Sequence, residues 1–309
     1  MDVAVSYCIV NTEHRELLLR CLDAVARDRA ALTVTSEVLV LDNASRDGSA
    51  GAARAHPAVD TLIRLSRRTG KGANDTQLLQ RARGSFCLLL NEDAELQPGA
   101  TAALLAALEE HPGAAAAGAE LVDEAGARRA SAWRFPTPAA ALLTAFGLHR
   151  RFVVQSRGNR TRVVDWSQSA ALLVRRDAAE AIGWFDPAFF VYSDEVDFCK
   201  RLRDAGWSVL FAPAAHALHH EAAGAPGERR IVELSRNRDR YVRKHHGAGA
   251  ALAVRWLTAW TYAVRSVLAL AAPGHDARRY RRHVRATLFP DRGEGLAEAA
   301  ADFNRGPRL

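Results

Sequence analysis

Up to Gly113 the chain alternates short apolar runs with stretches of helical spacing. Val3 to Val10 is a continuous apolar run of the strand kind, and Glu13 to Arg27 then repeats Leu17, Leu18, Cys21, Leu22 and Val25 at three- and four-residue steps. Glu37 to Leu41 predicts a second buried strand closing on Asp42, and Leu62 to Leu65 a third. Lys71 to Arg83 reads as a helix, Ser85 to Leu90 as a strand closing on Asn91-Glu92-Asp93, and Pro98-Gly99 opens a helix that runs to His111. Strands alternating with helices predict an α/β fold with a mostly parallel sheet of the doubly wound kind, whose ligands bind beyond the carboxyl ends of the strands.

Past Gly113 the pattern weakens. Pro136 and Pro138 interrupt a stretch that resumes as a strand-like run from Val163 to Val174. A helix over Asp177 to Ile182, a turn over Gly183 to Pro187, a helix over Asp194 to Ala205 and a last strand over Ser208 to Phe211 follow. A histidine-rich segment, His216, His219 and His220, comes next. From Ala250 to Ala271, Val254, Trp256, Leu257, Trp260, Val264, Val267 and Leu268 share one side of a helical wheel, with Arg255, Thr258, Tyr262, Arg265 and Ser266 opposite. Such a stripe suits either a helix lying on an anionic membrane surface or one packed on its own domain.

With 49% hydrophobic and 25% charged residues among 309, disorder is excluded as a global description. Four scattered cysteines form no CxxC pair, which leaves them as reduced core thiols and argues against a zinc or redox motif. The start lacks a positive n-region and a cleavage site, and no apolar run reaches the roughly 18 residues of a membrane span. The expectation is a cytoplasmic protein, peripheral on the inner face of the plasma membrane if the C-terminal helix binds lipid.

The net charge of +7 is unevenly spread. Arg229 to Arg292 holds fifteen basic against four acidic residues, leaving 27 basic and 31 acidic for the remainder. A basic C-terminal part thus follows a slightly acidic body. Three acidic clusters fall at or just after strand ends: Asp42 with Asn43 and Asp47, Glu92-Asp93, and Asp194-Glu195 with Asp197. Gathered carboxylates repel one another, so they persist chiefly where they bind a cation or donor groups or do acid/base work. Asp93 is placed to bind Mg²⁺ or Mn²⁺, and His219 could add a nitrogen ligand more suited to Mn²⁺. The three histidines, taken alone, suit an ordinary loop equally well. The residues by themselves reach an α/β nucleotide-binding enzyme with an acidic metal site.

Four segments carry a resemblance: Val3-Ala-Val-Ser-Tyr-Cys-Ile-Val-Asn-Thr, Glu37-Val-Leu-Val-Leu-Asp-Asn-Ala-Ser-Arg-Asp-Gly, Leu88-Leu-Leu-Asn-Glu-Asp-Ala-Glu-Leu-Gln-Pro-Gly, and Gly183 to Leu202 with its Tyr-Ser-Asp-Glu-Val-Asp core. In this order they resemble the inverting family-2 glycosyltransferases, most closely the bacterial rhamnosyltransferase-like branch. The resemblance implies a GT-A fold over 1–247, followed by a basic amphipathic helical region over 248–309. It further implies a divalent metal and inversion in one step, with transfer from a nucleotide diphosphate sugar, first of all a dTDP-rhamnose, to a hydroxyl of a glycan or lipid-linked acceptor.

By motif, Asn11, Thr12, Asp42 and Asn43 would hold the base and ribose. Arg68 and Lys71 lie in the donor-contacting loop, where Arg68 replaces the family's usual Asn. Asn91-Glu92-Asp93 stands at the Asp-x-Asp position, with Asp93 on the metal, and His219 matches a late histidine implied as a second metal ligand or diphosphate contact. Glu195 is implied as the general base with Asp194 as the alternative, while Trp166 and Asp197 fall on the acceptor side. A homodimer is compatible with the sequence.

Two other readings compete. A nucleotidyltransferase would carry a glycine-rich basic loop after its first strand, where Asn11-Thr-Glu-His-Arg stands instead. A nucleic-acid-binding protein would use the Arg278 to Arg285 run, but the acidic strand ends would repel phosphates unless a metal intervened.

Overall fold

The computed structural model describes residues 3–220, 227–271 and 275–306; the outermost residues of both expected regions, 1–2 and 307–309, lie outside them. The elements are Val5–Asn11 (β1), Arg15–Ala30 (α1), Ser36–Asp42 (β2), Ser49–Ala55 (α2), Thr61–Arg64 (β3), Lys71–Arg81 (α3), Phe86–Asn91 (β4), Ala94–Leu96 (β5), Ala100–Glu110 (α4) and Ala114–Val122 (β6). Then come Arg128–Arg129 (β7), Ala132–Trp133 (β8), Pro138–Ala145 (α5), His149–Phe152 (α6), Arg162–Val164 (β9), Trp166–Ser167 (β10), Ala171–Arg175 (β11), Arg176–Ala181 (α7) and Asp194–Asp204 (α8). Ser208–His219 (β12), Glu228–Leu268 (α9), Ala277–Leu288 (α10) and Leu296–Arg305 (α11) complete the chain.

All seven residues of β1 are buried, because helices cover both faces of the sheet there and an apolar run needs no polar side. The sheet order is β3-β2-β1-β4-β11-β6-β12-β5, with β1 to β4 mutually parallel and β11 entering antiparallel between β4 and β6. The register pairs Asn11 with Asp42, Val10 with Asn91, and Asp42 with Arg64. Parallel register therefore delivers the polar end of each strand to one edge.

Three expectations are corrected. The Val163 to Val174 run is three strands, because the chain pairs with β12 as β9, leaves the main sheet for the short β10–β8 ribbon, and returns to it as β11. Gly118 permits this crossing, since a Cβ there would lie 1.9 Å from the Ser167 Oγ. The last strand continues to His219, with a register shift between Ala212 and His216, so His216 and His219 stand on a strand and not in a loop. The third concerns the wheel stripe: Trp256, Trp260 and Val267 are 60–67% exposed, whereas Ala251, Val254, Ala259, Thr261 and Ser266 are buried. Apart from Val254, this helix packs through its small and hydroxyl-bearing side, against α5 and α10, and turns the tryptophans outward.

The strand β6 lay outside the sequence expectations; its Ala-rich run carries little strand propensity, and its place between β11 and β12 decides its conformation. The long α9 breaks at Gly247, whose φ of 83° is open chiefly to glycine. All four cysteines are buried and unbridged.

The second core layer seats α8 through Phe198, fully buried and stacked on Phe185 with ring centroids 4.3 Å apart. Phe198→Ala should lower the unfolding free energy by about 3–5 kcal/mol through the cavity it leaves, measured by urea denaturation; a loss below about 1 kcal/mol would contradict this packing.

Candidate active site

The site grows out of the carboxyl ends of β1, β2 and β4. Asn11 Nδ2 donates to Asp42 Oδ1 and to Ser45 Oγ, each at 3.2 Å, and the Ser45 amide returns a bond to Asp42 Oδ2. Asn43 Nδ2 donates to Thr12 Oγ1 and to the Thr69 carbonyl, while its Oδ1 accepts from the Thr69 amide at 2.9 Å. The two strand ends and the 67–70 loop are thereby one hydrogen-bonded unit. Glu13 follows in a left-handed conformation, φ 60°, and its carboxylate takes both the Arg46 amide and the Arg68 guanidinium.

That loop is pinned from below. A Cβ on Gly70 would come within 2.5 Å of the Phe190 carbonyl oxygen, which accepts the Lys71 amide at 2.7 Å. Lys71 Nζ reaches Asp75 at 2.7 Å and Ser169 Oγ at 3.1 Å. Burial alone would lower its pKa, but the charges of Asp75, Asp194 and Glu195 outweigh this and raise it. Lys71 thus links the donor-side loop to the acidic pair.

Asp93 and His219 lie far apart in the sequence, one between β4 and β5 and the other at the end of β12. The β12 strand runs antiparallel to β5 with His219 opposite Ala94, which sets His219 Nε2 3.2 Å from Asp93 Oδ1. Both are about 8% exposed. One carboxylate oxygen and one imidazole nitrogen suit a divalent ion that draws its other ligands from a diphosphate and water. Among the described residues no group of three or more His, Cys, Asp or Glu side chains is arranged to hold a metal ion. Glu92 is held by His14 at 2.9 Å, and that bond raises the histidine's pKa.

On the other side, Tyr192 and Ser193 both adopt left-handed backbone, φ 65° and 61°, before α8 begins at Asp194. Strain at non-glycine residues is kept where the surroundings enforce it. Here Asn237 of α9 donates to the Val191 carbonyl at 2.8 Å. Asp194 is 1% exposed, and among the described residues no donor meets either of its side-chain oxygens. Burial first, and the neighbouring Glu195 carboxylate second, push its pKa well above the ordinary range. Glu195 is half-buried.

The structure separates two expected residues from this set. Asp197, expected on the acceptor side, is fully buried and carries Arg201, Lys244 and His245 at 2.6–2.7 Å. Its charge is spent tying α8 to α9. Trp166 stands on the β10–β8 ribbon, stacked on Trp133 at 4.6 Å, with its indole N–H given to the Arg134 carbonyl. His216 and His220 likewise serve ion pairs, with Glu120 and with Glu95 and Glu124.

Sequence reasoning missed Glu13, His14 and Arg230. The half-buried Arg230, on the first turn of α9, lies within electrostatic reach of both His14 and Tyr192. Among the described residues, buried polar atoms without partners include Asn11 Oδ1, Asn91 Oδ1 and both Asp194 oxygens. Unmet buried acceptors are costly unless a ligand supplies donors.

A family model described as "Glycosyltransferase like family 2" matches residues 3–263. The N-acetylglucosaminyl-diphospho-decaprenol L-rhamnosyltransferase of Mycobacterium tuberculosis (strain CDC 1551 / Oshkosh) is 29% identical over 275 residues, covering 81% of this chain and 90% of that protein. Among solved structures, the mannosyltransferase PcManGT from Pyrobaculum calidifontis, in complex with GDP-Man and Mn²⁺, superposes with a TM-score of 0.57 at 17% identity, over 98% of this chain and 87% of the other. S. aureus TarS, in complex with UDP-GlcNAc, superposes with a TM-score of 0.57 at 12% identity, over 92% and 79%. These neighbours place the fold in the GT-A class. The chain belongs to glycosyltransferase family 2 and is a rhamnosyltransferase-like glycosyltransferase.

Proposed function

We propose that the protein transfers a sugar, rhamnose from a dTDP donor in the first instance, with inversion, onto a hydroxyl of a lipid-linked glycan acceptor. The observation that carries this reading is the pair of acidic centres, Asp93 with His219 and Asp194 with Glu195, with Lys71 beside the second and Arg230 within electrostatic reach of the residues flanking both, His14 and Tyr192. The mycobacterial relative, named for rhamnose transfer to a polyprenyl-diphosphate-linked N-acetylglucosamine, supports the choice of sugar and acceptor.

In this reading Asn11, Thr12, Asp42 and Asn43 take the nucleoside. A divalent ion held by Asp93 and His219 would neutralise the charge that grows on the leaving diphosphate. Arg230 adds positive charge at the same opening. The acceptor oxygen attacks the anomeric carbon from the face opposite the diphosphate, the bond to the diphosphate oxygen breaks, and the hydroxyl proton passes to a carboxylate. Glu195 suits that role better than Asp194: it is half-buried and reachable, whereas Asp194 is 1% exposed and burial raises its pKa well above the usual carboxylate range.

The outward face of α9 supports a location. Trp256, Trp260 and Val267 continue toward Leu270 and Phe289, with Phe146 also exposed on α5's end, and α5 packs on α9. Arg278, Arg279, Arg281 and Arg282 of α10 follow on the helix packed beside it. An apolar strip among cations suits the interface of an anionic bilayer, where a lipid-linked acceptor resides. Among the described residues no helix is long and apolar enough to cross a membrane.

With a panel of nucleotide sugars and Mn²⁺, Glu195→Gln should cut kcat about 10²–10⁴-fold with donor KM little changed; normal turnover would move the base to Asp194. The double substitution Trp256→Ala and Trp260→Ala should weaken pelleting with phosphatidylglycerol vesicles about tenfold, and equal pelleting of both proteins would remove the membrane assignment.

A further inference from the structure

The family match ends at residue 263, yet the last helix, α11, returns to the donor side of the site. Asn304 brackets one residue of the donor loop: its Oδ1 accepts the Arg68 amide at 2.7 Å and its Nδ2 donates to the Arg68 carbonyl at 2.9 Å. Beside it, the Phe303 ring holds two guanidinium groups, Arg68 at 3.7 Å and Arg46 at 4.1 Å from its centroid. Glu13 ties the same pair from the other side, accepting the Arg46 amide and the Arg68 side chain. Arginine, whose planar cation is weakly hydrated, is the residue an aromatic face orients best.

These contacts border a cavity of about 760 Å³ between the turn after β2 and the end of β3, with Ser45, Arg46, Leu65 and Ser66 on its walls and Phe303 and Asn304 closing it. The volume falls within the range of small-molecule sites. Ser45 joins the cavity to Asp42 and Asn11 through its amide and hydroxyl.

The anchoring of α11 is equally specific. Glu298 caps the helix by accepting the Gly295 amide and pairs with Arg236 of α9 at 2.8 Å. The buried Glu233 of α9 accepts the Ala297 amide and also Asn237 Nδ2, and that same Asn237 amide holds Val191 in the turn before Asp194.

We infer that α11 is a working part of the donor site, in which Phe303 and Asn304 are positioning residues that set Arg46 and Arg68 at the cavity receiving the nucleoside of the donor. The inference rests on the nucleotide-sugar reading above. It assigns the C-terminal helix to recognition of the nucleoside and leaves the diphosphate to Asp93, His219 and Arg230. Substitutions in α11 then act on nucleoside binding and not on the phosphates.

The test uses the full chain with Mn²⁺ and calorimetric titration of thymidine, uridine and guanosine diphosphates beside inorganic pyrophosphate. Phe303→Ala and, separately, Asn304→Ala should weaken the nucleoside diphosphate that binds best about tenfold, the loss of roughly one cation–π contact for Phe303 and of the two hydrogen bonds to the Arg68 backbone for Asn304. Pyrophosphate binding should stay unchanged, and Phe303→Trp should restore nucleotide binding. In turnover, donor KM should rise with kcat and acceptor KM held. Unchanged nucleotide binding in both alanine variants would overturn the inference, as would an equal loss of pyrophosphate binding, which marks general damage. Failure of the unaltered protein to bind any of the nucleotides would overturn the donor reading itself.

Discussion

Like charge forced together is the constraint on which this molecule turns. Parallel pairing of β1, β2 and β4 sends Asn11, Asp42 and Asn91 to one edge, and Asp93 follows within two residues. The fold adds Asp194 and Glu195 from the start of α8. Inside a low dielectric such carboxylates are tolerated only with compensation. Part is internal: Lys71 lies between Asp75 and the Asp194–Glu195 pair, and Asn11 and Ser45 satisfy Asp42. Part is not, since among the described residues both Asp194 oxygens and the Asn11 and Asn91 side-chain oxygens are buried without donors. The metal and nucleotide sugar proposed above would supply what this edge lacks.

Holding that edge requires scaffolding from far along the chain. The bulged β12 carries His219 alongside Asp93, and Asn237 of α9 fixes the strained turn ahead of the acidic pair. Asp197 belongs to this scaffolding: Lys244 and His245 of α9 meet its carboxylate and lock α8 onto α9, while Arg201 pairs with it within α8. Through Glu233 and Glu298 the same helix carries α11, so the donor loop and the acidic turn share one brace. The site is local in space and spread over almost the whole sequence.

What the sequence disclosed follows from which forces are short-range. Continuous apolar runs closing on Asp42 and Asn91 reveal buried parallel strands because burial on both faces leaves no polar alternation to confuse them. Residue chemistry could suggest Asp93 with His219 and the resemblance strengthened it, but their contact was not legible, since nothing local specifies that β12 bulges and runs on to meet β5. Strand β6 was hidden because alanine prefers helix and only its neighbours make it a strand. Asp197 misled because its type and spacing match a site residue while its partners Lys244 and His245 lie on a later helix. The wheel over 250–271 found the stripe correctly, but amphipathicity alone carries no sign for which face packs inward; the small residues Ala251, Ala259 and Ser266 decide it by allowing close helix contact. Phe303 and Asn304 gave no signal, being single residues in a short terminal helix.

The central claim is that the acidic edge accepts a nucleoside diphosphate only together with a divalent cation. Paired calorimetric titrations of thymidine diphosphate into the protein, one with Mn²⁺ and one with a chelator, test it most directly. The account predicts that affinity falls at least about tenfold without the ion. Equal affinity in the two titrations would contradict it.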